Sequence, residues 1–161
     1  MKAIIIYFSI SGRTKRVAET IAAQLGNLSV DIEPIKYMGN ARTLIANHDR
    51  IASGDWSSLN ANERIFDLSP YDIVCIGMPV HGGQPPVIFN TYVKKCTGLK
   101  GKTAYIFLTC RLFTGKTISI MREELEKAGA NVSAELICKG LFRIGTDKPV
   151  AFGQEINSKK N

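Results

Sequence analysis

The chain has 161 residues, 45% of them hydrophobic and 22% charged, which suits one soluble domain with a core of its own over 1–161. No apolar run approaches the length of a membrane span. The formal net charge of +7 is concentrated: seven basic residues and no acid lie between Asp72 and Glu123, and the remainder balances. That third of the chain reads either as a solubilising face or as an attraction for anionic partners.

In chain order, AIIIYF (3–8) is a continuous apolar run, the mark of a strand covered on both faces. It is too short for a secretory leader and runs into basic residues, so a cytoplasmic protein is expected. Val17, Ile21 and Leu25 form a helical stripe that ends at Gly26. SVDIEPI (29–35) alternates and contains Pro34, which places it at a sheet edge. RTLIANHDRIA (42–52) predicts a short helix, followed by a loop in which Trp56 covers a gap. DIVCIGM (72–78) is the next buried strand, VIFNTYVKKC (87–96) a helix, and TAYIFLTC (103–110) another strand. TISIMREELEKAG (117–129) is the clearest helix, and VSAELICKGLF (132–142) the last strand. The segment after Pro149 carries only a weak helical pattern, which leaves open a last helix or an irregular carboxyl end.

Five strands separated by helices imply a doubly wound α/β fold: a five-stranded parallel sheet with helices on both faces. With the alternating strand at one edge, the expected order is 2-1-3-4-5. Ligands in such sheets bind beyond the carboxyl ends of the strands, at the switch point. That brings together the loops at 9–14, 79–86 and 109–116.

The first loop, SISGRT, holds Ser9, Ile10, Ser11, Gly12, Arg13 and Thr14 at the start of a helix. Free backbone N–H groups and small hydroxyls there suit one terminal phosphate. The same residues also suit a helix start capped by Ser11 or Thr14, and the loop alone leaves both readings open. Neither a P-loop nor G-x-G-x-x-G is present. Gly115–Lys116–Thr117 looks like the tail of a P-loop, but the leading glycine would fall on Cys110. A response-regulator receiver would need acids where Ser9, Ile10, Met78 and Pro79 stand. Loop 77–86, GMPVHGGQPP, and loop 109–116, TCRLFTGK, are placed to hold a flat ring above the first.

S-I-S-G-R-T resembles the phosphate-wrapping signature of flavodoxins, and I-G-M-P-V-H-G-G-Q-P-P and L-T-C-R-L-F-T-G-K resemble the two flavin loops of that family. The likeness runs through nearly the whole chain in order and spacing. It implies FMN as cofactor. The phosphate would sit on Ser9, Ser11, Gly12 and Thr14, and the ring among Pro79, Val80, His81, Gly82, Gly83, Thr109, Cys110, Arg111, Phe113 and Gly115. It also implies an electron carrier working between redox proteins. Family members often carry an aromatic where His81 stands, and carriers of this type are usually acidic around the ring; here that region has no acid. The basic surroundings, Arg111 above all, imply a milder reductant or an acidic partner such as a ferredoxin. A small FMN-dependent oxidoreductase acting on quinones or other anionic substrates is the alternative, and a non-flavin phosphate-binding or signalling module a remoter one. No module for nucleic acid is recognisable, and neither nucleic acid nor membrane is an expected partner.

The chain has two histidines, His48 and His81, so a His-rich metal site is not expected. Cys75, Cys96, Cys110 and Cys138 form no C-x-x-C pair and read as free thiols of a reducing compartment, structural rather than redox-active.

Overall fold

The computed structural model of the chain describes residues 1–159. Five parallel strands form the sheet: β1 (Lys2–Phe8), β2 (Ser29–Tyr37), β4 (Ile73–Pro79), β5 (Thr103–Cys110) and β6 (Asn131–Lys139). Taken alone they have the expected order, with β1 between β2 and β4. The expected count of five needs a correction. A sixth strand, β3 (Leu59–Asn60), pairs antiparallel with Lys36 and Tyr37, so the full order is β3-β2-β1-β4-β5-β6. A two-residue strand carries too little periodicity to be read from sequence.

β3 covers only the end of β2. Residues 29–35 keep an open edge, and Pro34, which has no N–H to offer a further strand, sits within it. Asp31 and Glu33 on this strand are held by cations: Lys2 lies 3.0 Å from Asp31, and Arg64 lies 3.2 Å from Asp31 and 3.3 Å from Glu33. The Tyr71 hydroxyl also donates to Asp31, at 2.7 Å.

Alternation along the strands divides the core into two layers. Ile4, Ile6 and Phe8 of β1 face α4 (Val87–Lys95) and α5 (Thr117–Lys127), packing with Ile88, Phe89, Tyr92, Met121 and Leu125. Ala3, Ile5 and Tyr7 face the other way, against Val17 and Ile21 of α1 (Arg13–Ala22) and Phe152 and Ile156 of α6 (Asp147–Ser158). α6 is the weakly marked last helix, and it starts at Asp147, before Pro149. Pro149 sits in its first turn, where a missing N–H is harmless, and Phe152 and Ile156 are one turn apart on the buried face.

The predicted helix over 42–52 is two helices, α2 (Ala41–Ala46) and α3 (His48–Ala52), parted at Asn47, whose side-chain amide donates to the Tyr37 hydroxyl at 2.9 Å. Asn40 starts α2 with a reciprocal capping box to Thr43. Trp56 meets Phe66 edge-on at 5.0 Å, as a cover over the loop should. α1 ends before Gly26, although Leu25 stays buried in the turns that follow.

Behind α3 and α4, the fully buried Tyr92 hydroxyl donates to the Ile65 carbonyl at 2.8 Å. Tyr92→Phe leaves that carbonyl without a donor in a dry place. We expect a loss of about 1–3 kcal/mol in urea unfolding. An unchanged midpoint would show that another donor replaces the hydroxyl.

Three of the seven charges of the basic third have partners. Arg122 pairs with Glu135 at 2.6 Å and Glu126 at 3.0 Å, acids outside that third. Lys95 lies over the rings of Phe66 and Trp56, and Lys102 reaches the Ser69 carbonyl. Among the described residues no helix is long and apolar enough to cross a membrane, and no cluster of His, Cys, Asp or Glu is placed to hold a metal ion.

Candidate functional site

β1, β4 and β5 lie side by side, so the loops leaving their carboxyl ends meet. They enclose a cavity of about 470 Å³. Ile10, Ser11, Arg13 and Thr14 line it from the first loop, and Pro79, Val80, His81, Gly82 and Gly83 from the second. Thr109, Cys110, Arg111 and Phe113 line it from the third. Leu112 lines it too and was not anticipated; its place between Arg111 and Phe113 was the available signal.

Three residues from the sequence reading lie off the cavity wall. Gly12 is the N-cap of α1, at a φ of 80°. Gly115 packs directly on the Gly83 carbonyl, which also accepts from the Lys116 N–H at 2.7 Å. That bond uses the Gly-Lys-Thr backbone to brace two loops rather than to cradle a phosphate. Ser9 precedes the lining residues of the first loop, and its hydroxyl oxygen is buried and unpartnered.

The start of α1 bears on both readings of the first loop. No side chain caps this helix. Thr14, the candidate cap, is buried and shares a 2.9 Å hydrogen bond with the Thr109 hydroxyl instead. Arg13 donates through Nη2 to the Gly140 carbonyl, while its Nε is buried without a partner. An uncapped helix N-terminus beside an orphaned hydroxyl and guanidinium nitrogen is arranged for an anion, since buried polar groups left unmet are costly.

The second loop folds back tightly. His81 and Gln84 exchange backbone hydrogen bonds of 2.8 and 3.1 Å around Gly82 and Gly83, whose φ angles are 59° and 77°. Two successive residues at positive φ favour glycine at both. The turn holds the His81 ring edge-on to Phe8, with centroids 6.3 Å apart. Val80 N–H bonds the Thr109 carbonyl at 3.0 Å, tying this loop to the third.

These residues fit FMN: an anion site for its single phosphate, and a cavity between two braced loops for its ring. The sequence profile of the flavodoxin family matches residues 2–136. The chain belongs to the flavodoxin family. Among solved structures, a flavoprotein in complex with FMN from Lactobacillus acidophilus NCFM is 24% identical, over 84% of this chain and 92% of that one, with a TM-score of 0.67. Flavodoxin 2 from Bacillus cereus is 19% identical over 99% of each chain, at a TM-score of 0.68. A WrbA-like flavodoxin from Agrobacterium tumefaciens is 16% identical, over 98% of this chain and 96% of that one, at 0.69. At these identities the shared property is the fold. No curated protein sequence matches the chain.

This flavodoxin has no acid on the cavity wall, and Arg111 lines it. All four thiols are free. Burial pushes the Cys75 thiol up to about 12 and Cys138 to about 11. It raises Cys110 as well, with Lys139 and Arg13 pulling the other way. Protonated thiols are poor nucleophiles, which fits a structural role.

Burial also holds the His81 imidazole below its ordinary pKa. The unfolded chain therefore takes up this proton first as pH falls. Stability is undiminished above the ordinary value of about 6.5 and is lost progressively below it, until the folded pKa is passed. Urea midpoints of wild type and His81→Phe should diverge below about pH 6.5, with wild type losing more. Parallel curves down to pH 4.5 would place the His81 ring in solvent.

Proposed function

We propose that this protein holds FMN in the loop cavity and carries electrons between redox proteins, one of them acidic. The observation that carries the reading is the rim of the cavity. Leu112 and Phe113 stand 66% and 68% exposed beside Arg111, and Phe142 is 94% exposed on the loop after β6. The two loops are neighbours, because Gly140 N–H bonds the Cys110 carbonyl at 3.1 Å. Large apolar side chains left in water around a cofactor mouth, with arginines among them and no acid on the wall, suit a partner face that is apolar at its centre and acidic at its edge.

FMN supplies the one- and two-electron chemistry once bound. The chain's contribution is binding and tuning. The start of α1, with Ser9, Ser11, Arg13 and Thr14, holds the phosphate. The 79–83 turn and the 109–113 loop hold the ring and keep water from its buried side. Arg111 attracts the negative charge that reduction brings, which makes the carrier a milder reductant than one ringed by acids. Four free thiols fit a reducing, cytoplasmic compartment.

The test is the rate of electron transfer from a reduced ferredoxin, an acidic protein, to the FMN-loaded chain. The rate should fall steeply as salt is raised, and Arg111→Glu should slow it about tenfold at low salt. A rate indifferent to both would remove the acidic partner from the proposal.

A further inference from the structure

Arg13 joins the phosphate end of the site to the exposed rim. It follows the N-cap of α1 and lines the flavin cavity, and its Nη2 donates to the Gly140 carbonyl on the loop after β6. From the other side, Gly140 N–H bonds the Cys110 carbonyl at 3.1 Å. Gly140 is thus gripped twice, by the first loop through its oxygen and by the end of β5 through its nitrogen.

The rest of that loop is held loosely. Among the described residues, 141–145 make no hydrogen bond. Ile144 is the one buried side chain between Gly140 and α6, while Leu141, Phe142 and Arg143 are exposed. A segment with so few contacts opens at little cost in free energy. Gly140 also begins a tight turn, in which a Cβ would strike the Arg143 carbonyl. Where Gly140 is held therefore decides where Leu141 and Phe142 stand.

The Arg13 guanidinium is used on one side only. Its Nε is buried without an acceptor, and an unmet donor in a dry place is costly. That cost opposes the inward position that the Gly140 bond requires. A phosphate at the start of α1 removes it. The planar fork of an arginine can meet a phosphate oxygen through Nε while Nη2 keeps the carbonyl. A lysine ammonium attracts the phosphate but cannot hold both partners in one fixed plane.

We propose that Arg13 is a positioning residue that ties the cofactor's phosphate to the docking loop, so that residues 140–146 take up one fixed arrangement when FMN is bound. An acidic partner then meets a formed apolar rim on the loaded protein and a looser one on the unloaded protein, and so discriminates between them. The source of the phosphate rests on the FMN reading; the bond between Arg13 and Gly140 does not.

Amide hydrogen exchange at Gly140, followed by NMR, reads the state of the loop. Inorganic phosphate, riboflavin (the ring without the phosphate) and FMN are each added to the flavin-free protein, and flavin uptake is read separately from fluorescence quenching. At saturation, phosphate and FMN should each slow exchange at Gly140 about tenfold beyond any change at the amides of β6, and riboflavin should leave it unchanged. Arg13→Lys saturated with FMN should keep the unslowed rate. Equal slowing by riboflavin, no slowing by phosphate, or full slowing in Arg13→Lys would each overturn the proposal. Slowing by phosphate in protein that takes up no FMN would support the coupling and count against the cofactor reading alone.

Discussion

Ser9→Ala should weaken FMN while leaving the flavin-free protein as stable as the parent, or more so. The two effects have opposite signs because the Ser9 hydroxyl is buried without a partner in the protein. Removing an unmet polar group from a dry place is neutral or favourable for folding. If the hydroxyl donates to the phosphate, its loss costs about 1.5–3 kcal/mol of binding, roughly tenfold to a hundredfold in Kd. Flavin fluorescence quenching gives the Kd, and urea unfolding without flavin gives the stability. The paired variant Ser11→Ala with Thr14→Ala should also weaken FMN, but there the flavin-free protein should lose stability, since the Thr14–Thr109 hydrogen bond goes with it. If Ser9→Ala destabilises the flavin-free protein and leaves FMN binding intact, the hydroxyl serves the fold and the phosphate lies elsewhere.

Gly77→Ala should be among the most damaging single-methyl additions in the chain. Gly77 pairs with Phe107 across β4 and β5, and a Cβ there would fall inside the Phe107 ring. Phe107 is fully buried against Ile5, Tyr7 and Cys75, so the ring has nowhere to go without moving the sheet. Overpacking of this kind costs about 3 kcal/mol. Because β4 and β5 carry the two ring loops, FMN affinity should fall as well. A second substitution, Phe107→Leu, makes room for the methyl, so the double variant should lose less than the two single losses combined. Additive losses would mean that the methyl is accommodated without touching the ring.

The buried strands were legible because each is a run of apolar residues too short for a helix core and bounded by turn residues. AIIIYF is the plainest case. The three site loops followed from the strand order, and all but three of the anticipated residues line one cavity. What was not legible depends on partners distant in sequence. Leu141 and Phe142 read as a continuation of the last strand, but β6 stops at Lys139 and both side chains stand in water. Hydrophobicity alone does not separate a buried strand residue from an exposed loop residue. The concentration of basic residues between Asp72 and Glu123 is also reduced in three dimensions, since Arg122 is paired with Glu126 and Glu135. α6 was weakly marked because its start lies at Asp147, before Pro149, and not after the proline.

The half-covered β2 governs how copies of this chain behave toward one another. A sheet edge is an invitation to a neighbouring molecule to add its own strand. Along residues 29–35 that invitation is withdrawn. Pro34 breaks the row of donors, and Asp31 and Glu33 present carboxylates already engaged by Lys2 and Arg64. An incoming strand would have to align against a missing N–H and a line of fixed charge. Filament growth through this edge is thereby closed off, and the protein can be abundant without this stretch of unpaired backbone becoming a seed for fibres.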